Sequence, residues 1–248
     1  MKVISLGWGV QSFTLAAMVA LGELEPVDFA IHADTTHESL LTYQFAERWA
    51  GWLEERGVRV ITVKNTASEL GEKAVVDIPA FTRSEKGDGQ IRRQCTGDWK
   101  IAQMRRWLQA NRNGEPVEMW LGISWDESQR QKASDVKYVT HRWPLLDLKM
   151  TRAGCIKWLE THGLEVPPKS ACTFCPFHNT AEWRRIQRTP EDWAEAVAVD
   201  EAIRKARPPY DLFVHPSRKP LVEVDLRTAE EKGQLSLWDD ECSGICGV

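Results

Sequence analysis

The chain has 248 residues, of which 42% are hydrophobic and 27% charged, and its formal net charge is −4. That length holds one large domain or a domain with an appendage, and the composition excludes global disorder. No apolar run approaches the roughly 20 residues of a membrane span, and the mild acidity excludes a broadly basic nucleic-acid binder.

Lys2–Leu6 predicts a short buried strand, broken by Gly7-Trp8-Gly9. The opening stretch MKVISLGWGV turns polar too soon for a signal peptide, so a cytoplasmic protein is expected. Val10–Leu21 is helical in pattern, Val27–Ala33 reads as a second buried strand, and Leu41–Arg56 is a helix ended by Gly57. Val58–Val63 is a third strand. Strand, helix, strand, helix, strand in this order predicts an α/β fold with a doubly wound, mostly parallel sheet. Residues 77–97 lose periodicity around Pro79, Gly87, Gly89 and Gly97 and read as a mobile loop over a site. Trp99–Leu108 is helical, Val117–Ser124 a further strand, and Thr151–His162 a helix with Thr151 as its cap. After Pro167-Pro168 come a Cys-bearing segment, a helix from about Thr180, and an irregular tail marked by Pro208-Pro209 and Pro216. The division is 1–165 for a nucleotide-binding domain and 166–248 for an irregular Cys-bearing extension packed on it.

The charge is uneven. Residues 225–248 hold six acids and two bases, so the rest of the chain is neutral. Within that rest, residues 83–106 carry seven bases against three acids, which predicts a local anion site or a solvated helix face.

Gly7-Trp8-Gly9-Val10-Gln11-Ser12 runs from a strand straight into a helix. Such a loop offers backbone N–H groups and a helix dipole to an anion, and Ser12 adds a hydroxyl. The Gly-Lys-Ser/Thr ending of a Walker A loop is missing. Asp34, at a strand end, and Glu127 and Arg130, just past another, are further ligand candidates; an Arg there grips phosphate by its fork. Cys172-x-x-Cys175 has metal-ligand spacing. By spacing alone it joins Cys242-x3-Cys246 in a four-Cys zinc site, and the chain is then a non-catalytic nucleotide-binding module. Cys155, in an amphipathic helix, reads as core. Trp49, Trp52, Trp107, Trp158 and Trp193 sit in helical patterns and read as packing, whereas Trp8, Trp99 and Trp125 lie in candidate nucleotide or substrate loops, where an indole stacks on a base or walls off a cofactor.

The glycine loop resembles the phosphate-binding PP-loop of the adenine nucleotide alpha-hydrolase superfamily, which is Rossmann-like in fold. It is more closely similar to the phosphoadenosine phosphosulfate (PAPS) reductase-like branch, including members found in phages. His32-Ala33-Asp34-Thr35-Thr36-His37-Glu38 resembles the family's Asp-Thr segment near the nucleotide. The run Arg93 to Ile101, with Cys95 and Lys100, resembles the Arg-x-Cys-Cys-x-x-x-Lys-Val stretch of cluster-containing sulfonucleotide reductases. Leu121 to Arg130 is like the family's Gly-Ile-Arg-x-x-Glu-Ser-x-x-Arg run, and Cys172-Thr173-Phe174-Cys175-Pro176 is like its late Cys-x-x-Cys-Pro. The likeness spans about residues 3–185.

The resemblance implies an enzyme of sulfur chemistry that binds ATP or another adenine nucleotide, with magnesium possible, at Gly7, Trp8, Gly9, Gln11, Ser12, Asp34, Thr35, Glu127 and Arg130. It implies a [4Fe–4S] cluster on Cys95, Cys172 and Cys175, with Cys246 as a tail ligand, and catalytic roles for Arg93, Lys100, Cys242 and Cys246. The tail thiols echo the Glu-Cys-Gly tail whose Cys attacks sulfate sulfur in these reductases. Two reactions fit: reduction of a sulfonucleotide with a thiol electron donor, or ATP-dependent sulfur insertion into a nucleic-acid acceptor. Gln11 stands where the common loop carries Asp, and an amide is a poorer magnesium ligand. Thr96 stands where the Cys-Cys pair has its second Cys.

Overall fold

The computed structural model describes residues 1–64, 78–228 and 231–232. In chain order the strands are β1 (Lys2–Ser5), β2 (Phe29–Asp34), β3 (Val60–Lys64), β4 (Phe81–Arg83), β5 (Gly89–Gln90), β6 (Val117–Leu121), β7 (Val139–Arg142) and β8 (Asp211–Phe213). The helices are α1 (Val10–Ala20), α2 (Leu40–Glu54), α3 (Ala102–Asn111), the single turn α4 (Pro144–Asp147), α5 (Arg152–Thr161), α6 (Thr180–Gln187) and α7 (Pro190–Ile203). The described residues form two compact units, one of 1–64 and 96–171, the other of 78–95, 172–228 and 231–232.

The first unit is an α/β sandwich on a five-stranded sheet in the order β3-β2-β1-β6-β7, with every pairing parallel. Buried parallel strands bury side chains on both faces, which is why β2 is buried along its whole length. Successive residues alternate between two cores. Val3, Phe29, Ile31 and Ala33 pack on one face with Leu108 of α3. Ile4 and Ala30 pack on the other with α1, α2 and α5. Helix α1 is buried at nearly every position, and aromatic edges lock it to α2: the Phe13 ring lies 4.9 Å from Phe45 and 5.3 Å from Trp49. Thr151 caps α5 through a 3.0 Å bond from the Gly154 N–H, as its position predicts.

The second unit is built on an antiparallel sheet, β5-β4-β8, with α6 and α7. Asp200 on α7 organises it. Its buried carboxylate accepts from the Val214 N–H (3.0 Å) and the Leu221 N–H (2.9 Å) and pairs with Arg204. The Arg204 guanidinium in turn lies 3.9 Å from the Phe213 ring centre. One charge thus ties α7 to β8 and to the segment beyond it.

The structure differs from the sequence expectations in four places. The stretch expected as a loop at 77–97 carries β4 and β5 among its described residues, and the tail expected to be irregular supplies β8. Strand β7, at the sheet edge, was not expected. The helix expected from Thr180 is two helices, divided where Pro190 starts α7. Among the described residues no helix is long and apolar enough to cross a membrane.

Removing a buried carboxylate that holds two backbone donors and an arginine leaves all three without their acceptor. Asp200→Ala is expected to lower stability by about 3–5 kcal/mol, read from the urea midpoint.

Candidate functional site

From the centre of the sheet the chain moves outward through β1, β2 and β3, then returns to the other side of β1 with β6. The carboxyl ends of β1 and β6 therefore flank the point where the strand order reverses, which is where open α/β sheets bind ligands. Strand β1 delivers Gly7–Ser12 to this point, and β6 delivers Gly122 to Arg130.

The two loops touch backbone to backbone. A Cβ on Gly122 would stand 2.8 Å from the Ser12 nitrogen, 2.9 Å from its Cα and 3.0 Å from the Gln11 carbonyl carbon. Only glycine permits this approach. Trp8 holds φ at +55°, a left-handed conformation that costs a non-glycine residue about 1–2 kcal/mol. Burying its indole among Phe13, His32 and Phe45 offsets that cost, because about 200 Å² of apolar surface is worth roughly 5 kcal/mol. The Trp8 side chain therefore anchors the loop in the core.

Helix α1 starts at Gly9 with no side-chain cap and no acid in its first turn. Its leading N–H groups and its dipole are left for an anion. Ser12 Oγ accepts from the Gly7 N–H (3.1 Å) and donates to the Gly9 carbonyl (3.3 Å), which holds the loop's curvature. Gln11 reaches the β6 side, donating to Glu127 (3.2 Å) and Ser124 (3.5 Å). Glu127 also accepts from Arg130 at 2.8 Å. A carboxylate thus lies beside residue 11 although residue 11 is itself an amide.

The end of β2 adds a buried polar shell. Asp34 accepts from the Thr36 N–H (2.7 Å) and from the Tyr43 hydroxyl (2.8 Å), and burial together with that carboxylate pushes the Tyr43 phenol up. Thr35 is buried, and its hydroxyl accepts from the His37 N–H at 3.4 Å. Glu38 has no exposed side-chain surface, and its two oxygens accept from Lys100 (2.8 Å) and Ser170 (3.2 Å). Burying a carboxylate costs several kcal/mol unless it is paired and hydrogen-bonded, and this one is both. Ser170 sets the pair beside the loop, since a Cβ on Gly9 would lie 4.0 Å from its own Cβ. Glu38, Ser170 and Tyr43 are site neighbours that the sequence reading passed over. The partners of Glu38 lie 62 and 132 residues away, so no local spacing signals them.

The expected residues thus divide. Gly7, Gly9, Gln11, Ser12, Glu127 and Arg130 meet at the crevice, while Asp34, Thr35 and Lys100 form the β2 shell of the same unit. Trp125, 48% exposed, stands beyond β6, whereas Trp99 is buried with its ring 6.0 Å from that of His37. The basic segment 83–106 is divided between the two units. Arg83 and Arg93 belong to the second unit, where they lie over the Phe213 and Phe177 rings, while Lys100 and Arg105 belong to the first and pair with Glu38 and Asp135.

Cys95, Cys172 and Cys175 all belong to the second unit and are half-buried. Their loop is turned by the Cys175 N–H on the Cys172 carbonyl (3.1 Å), and His178 Nε2 donates to that same carbonyl at 2.8 Å. Among the described residues no three His, Cys, Asp or Glu side chains gather as a metal site. Cys242 and Cys246 lie outside the described residues. Cys155, on the buried face of α5, is fully buried, and burial pushes its thiol up to about 11.

No protein-family model and no curated protein matches the chain. Among solved structures, the phosphate complex of phosphoadenylyl-sulfate (PAPS) reductase from Candida auris is similar over 67% of this chain and 74% of that chain, at 14% identity and a TM-score of 0.48.

Two outcomes follow from the geometry. Gly122→Ala is expected to cost about 2 kcal/mol, whereas Gly7→Ala, whose Cβ would meet nothing closer than the Ser12 hydroxyl at 3.8 Å, serves as the mild control in the same denaturation series. His32 donates from Nδ1 to the Leu6 carbonyl (3.0 Å), and burial holds its pKa below the ordinary 6.5. The unfolded chain then takes up a proton that folded His32 refuses, so stability is complete above pH 6.5 and falls as the pH drops below it. His32→Asn is expected to flatten that fall between pH 6.5 and about 5 in urea titrations. An unchanged slope would contradict the assignment.

Proposed function

We propose that the chain is an enzyme of the sulfonucleotide reductase-like kind, binding an adenine nucleotide with its phosphoryl end on the Gly7–Ser12 loop. The observation that carries this reading is the uncapped start of α1, set at the reversal of strand order and closed from the other side by Gly122. Backbone N–H groups of the first turn bind the anion, and Ser12 holds their curvature. Arg130, oriented by Glu127, and Lys100, oriented by Glu38, supply positive charge near the phosphoryl or sulfuryl end.

In this reading a tail thiolate, from Cys242 or Cys246 by resemblance, attacks the sulfuryl sulfur. The sulfur–oxygen bond to the nucleotide breaks and the nucleotide phosphate leaves with the electron pair. A second thiol, from an external dithiol donor, then displaces sulfite and leaves a disulfide.

The test uses the full chain. ATP and PAPS are expected to raise the melting temperature, and Ser12→Asp, which sets a negative charge where the phosphate sits, is expected to remove the shift. PAPS with a dithiol is expected to yield sulfite, while ATP with magnesium yields no pyrophosphate. Pyrophosphate without sulfite would replace reduction with ATP-dependent sulfur insertion. Nucleotide shifts unaffected by Ser12→Asp would remove the loop from the site.

A further inference from the structure

The second unit contains a cavity of about 890 Å³ that the nucleotide reading does not use. Its wall is cationic. Arg184, Arg188, Lys219, Arg227 and Lys232 line it, with Asp225 as the lining carboxylate. Some of this charge is spent internally. Arg184 makes a two-pronged pair with Glu231 (2.7 and 2.8 Å), and Arg227 pairs with Asp225 at 2.8 Å. Lys232 donates to the Asp225 carbonyl at 3.0 Å. Among the described residues, Arg188 and Lys219 have no carboxylate partner.

Five cations therefore face two carboxylates around one concavity, and both unpartnered cations are part of its wall. Such an excess raises the local concentration of anions and supplies charge-assisted donors to them. The remaining wall sets Ala181, Val224, Leu226 and the His215 ring beside the hydroxyl-bearing Thr180, Ser217 and Thr228. Burial holds the His215 imidazole below its ordinary range, so it presents a ring surface rather than a further charge. A void of this size exceeds one phosphate and suits a ligand of nucleotide dimensions with an apolar body. Helix α6 begins at the cavity, but Asn179 and Glu182 satisfy its leading donors in a reciprocal capping box, so the cations, not the helix end, carry the attraction.

We infer that this cavity is a second anion site, for a phosphate-bearing ligand of nucleotide size, separate from the loop in the first unit. Its source is a free nucleotide or a phosphodiester strand, which share the recognised group. The inference does not rest on the nucleotide loop and stands if that reading fails.

Isothermal titration of the full chain tests it with three probes: inorganic phosphate, AMP and hexathymidylate. The titrations run in the Ser12→Asp protein, which leaves the cavity as the remaining site. At least one probe is expected to bind one-to-one. Arg188→Glu with Lys219→Glu is expected to weaken it at least about tenfold, while Arg188→Lys with Lys219→Arg retains it. Preference for AMP identifies a free nucleotide, and preference for hexathymidylate with steep salt dependence identifies a strand. No binding by any probe, or binding that the double reversal leaves unchanged in a protein that still melts cooperatively, overturns the inference. ATP binding measured in the double-reversal variant on an otherwise unaltered chain reports on the loop, so the two readings fail separately.

Discussion

The first turn of α1 and the end of β6 meet with no room for a side chain between them, and the candidate site depends on that approach. With Gly122 in place, the β6 loop lies against Ser12, Gln11 reaches Glu127, and both strand ends border one crevice. The sheet topology explains why the contact lies there. It forms where the chain stops adding strands on one side of β1 and starts on the other. Trp8 supplies the counterweight, since its left-handed backbone is held by an indole packed into the core beneath the loop.

Electrostatics then separates a helix start without a side-chain cap from charges that are satisfied internally. The start of α6 is closed by its own capping box, whereas the start of α1 has no side-chain cap. Glu38 is more costly still to bury, and Lys100 and Ser170 make its burial tolerable. A shell of this kind fixes a lysine in place through a carboxylate that also holds Ser170 beside Gly9. In the second unit Asp200 is the structural counterpart: its charge is consumed by two backbone donors and an arginine, and it holds elements together.

What could be read from the sequence follows from how local each signal is. Strands β1 to β3 and β6 and helices α1, α2 and α5 declare themselves, because two-sided burial makes the strands nearly continuous apolar runs and the helices periodic ones. The glycine loop is legible for the same reason, as a break between a strand and a helix. Strands β4, β5 and β8 are two or three residues long, too short for alternation to register, and β4 pairs with β8 across more than a hundred residues. The φ and the burial of Trp8 depend on how its loop packs on the core, which no local pattern signals. Glu38 and Ser170 stood within recognisable segments, but their value lies in meeting each other, which only the fold supplies. The basic run shows the opposite case, since neighbours in sequence fall into different units.

Hydrogen–deuterium exchange of the full chain with and without ATP tests the central claim most directly. Protection is predicted at the amides of residues 7–13 and 122–130, the two loops at the reversal of strand order. ATP binding with protection confined to other segments would contradict the assignment of the Gly7–Ser12 loop as the phosphate site.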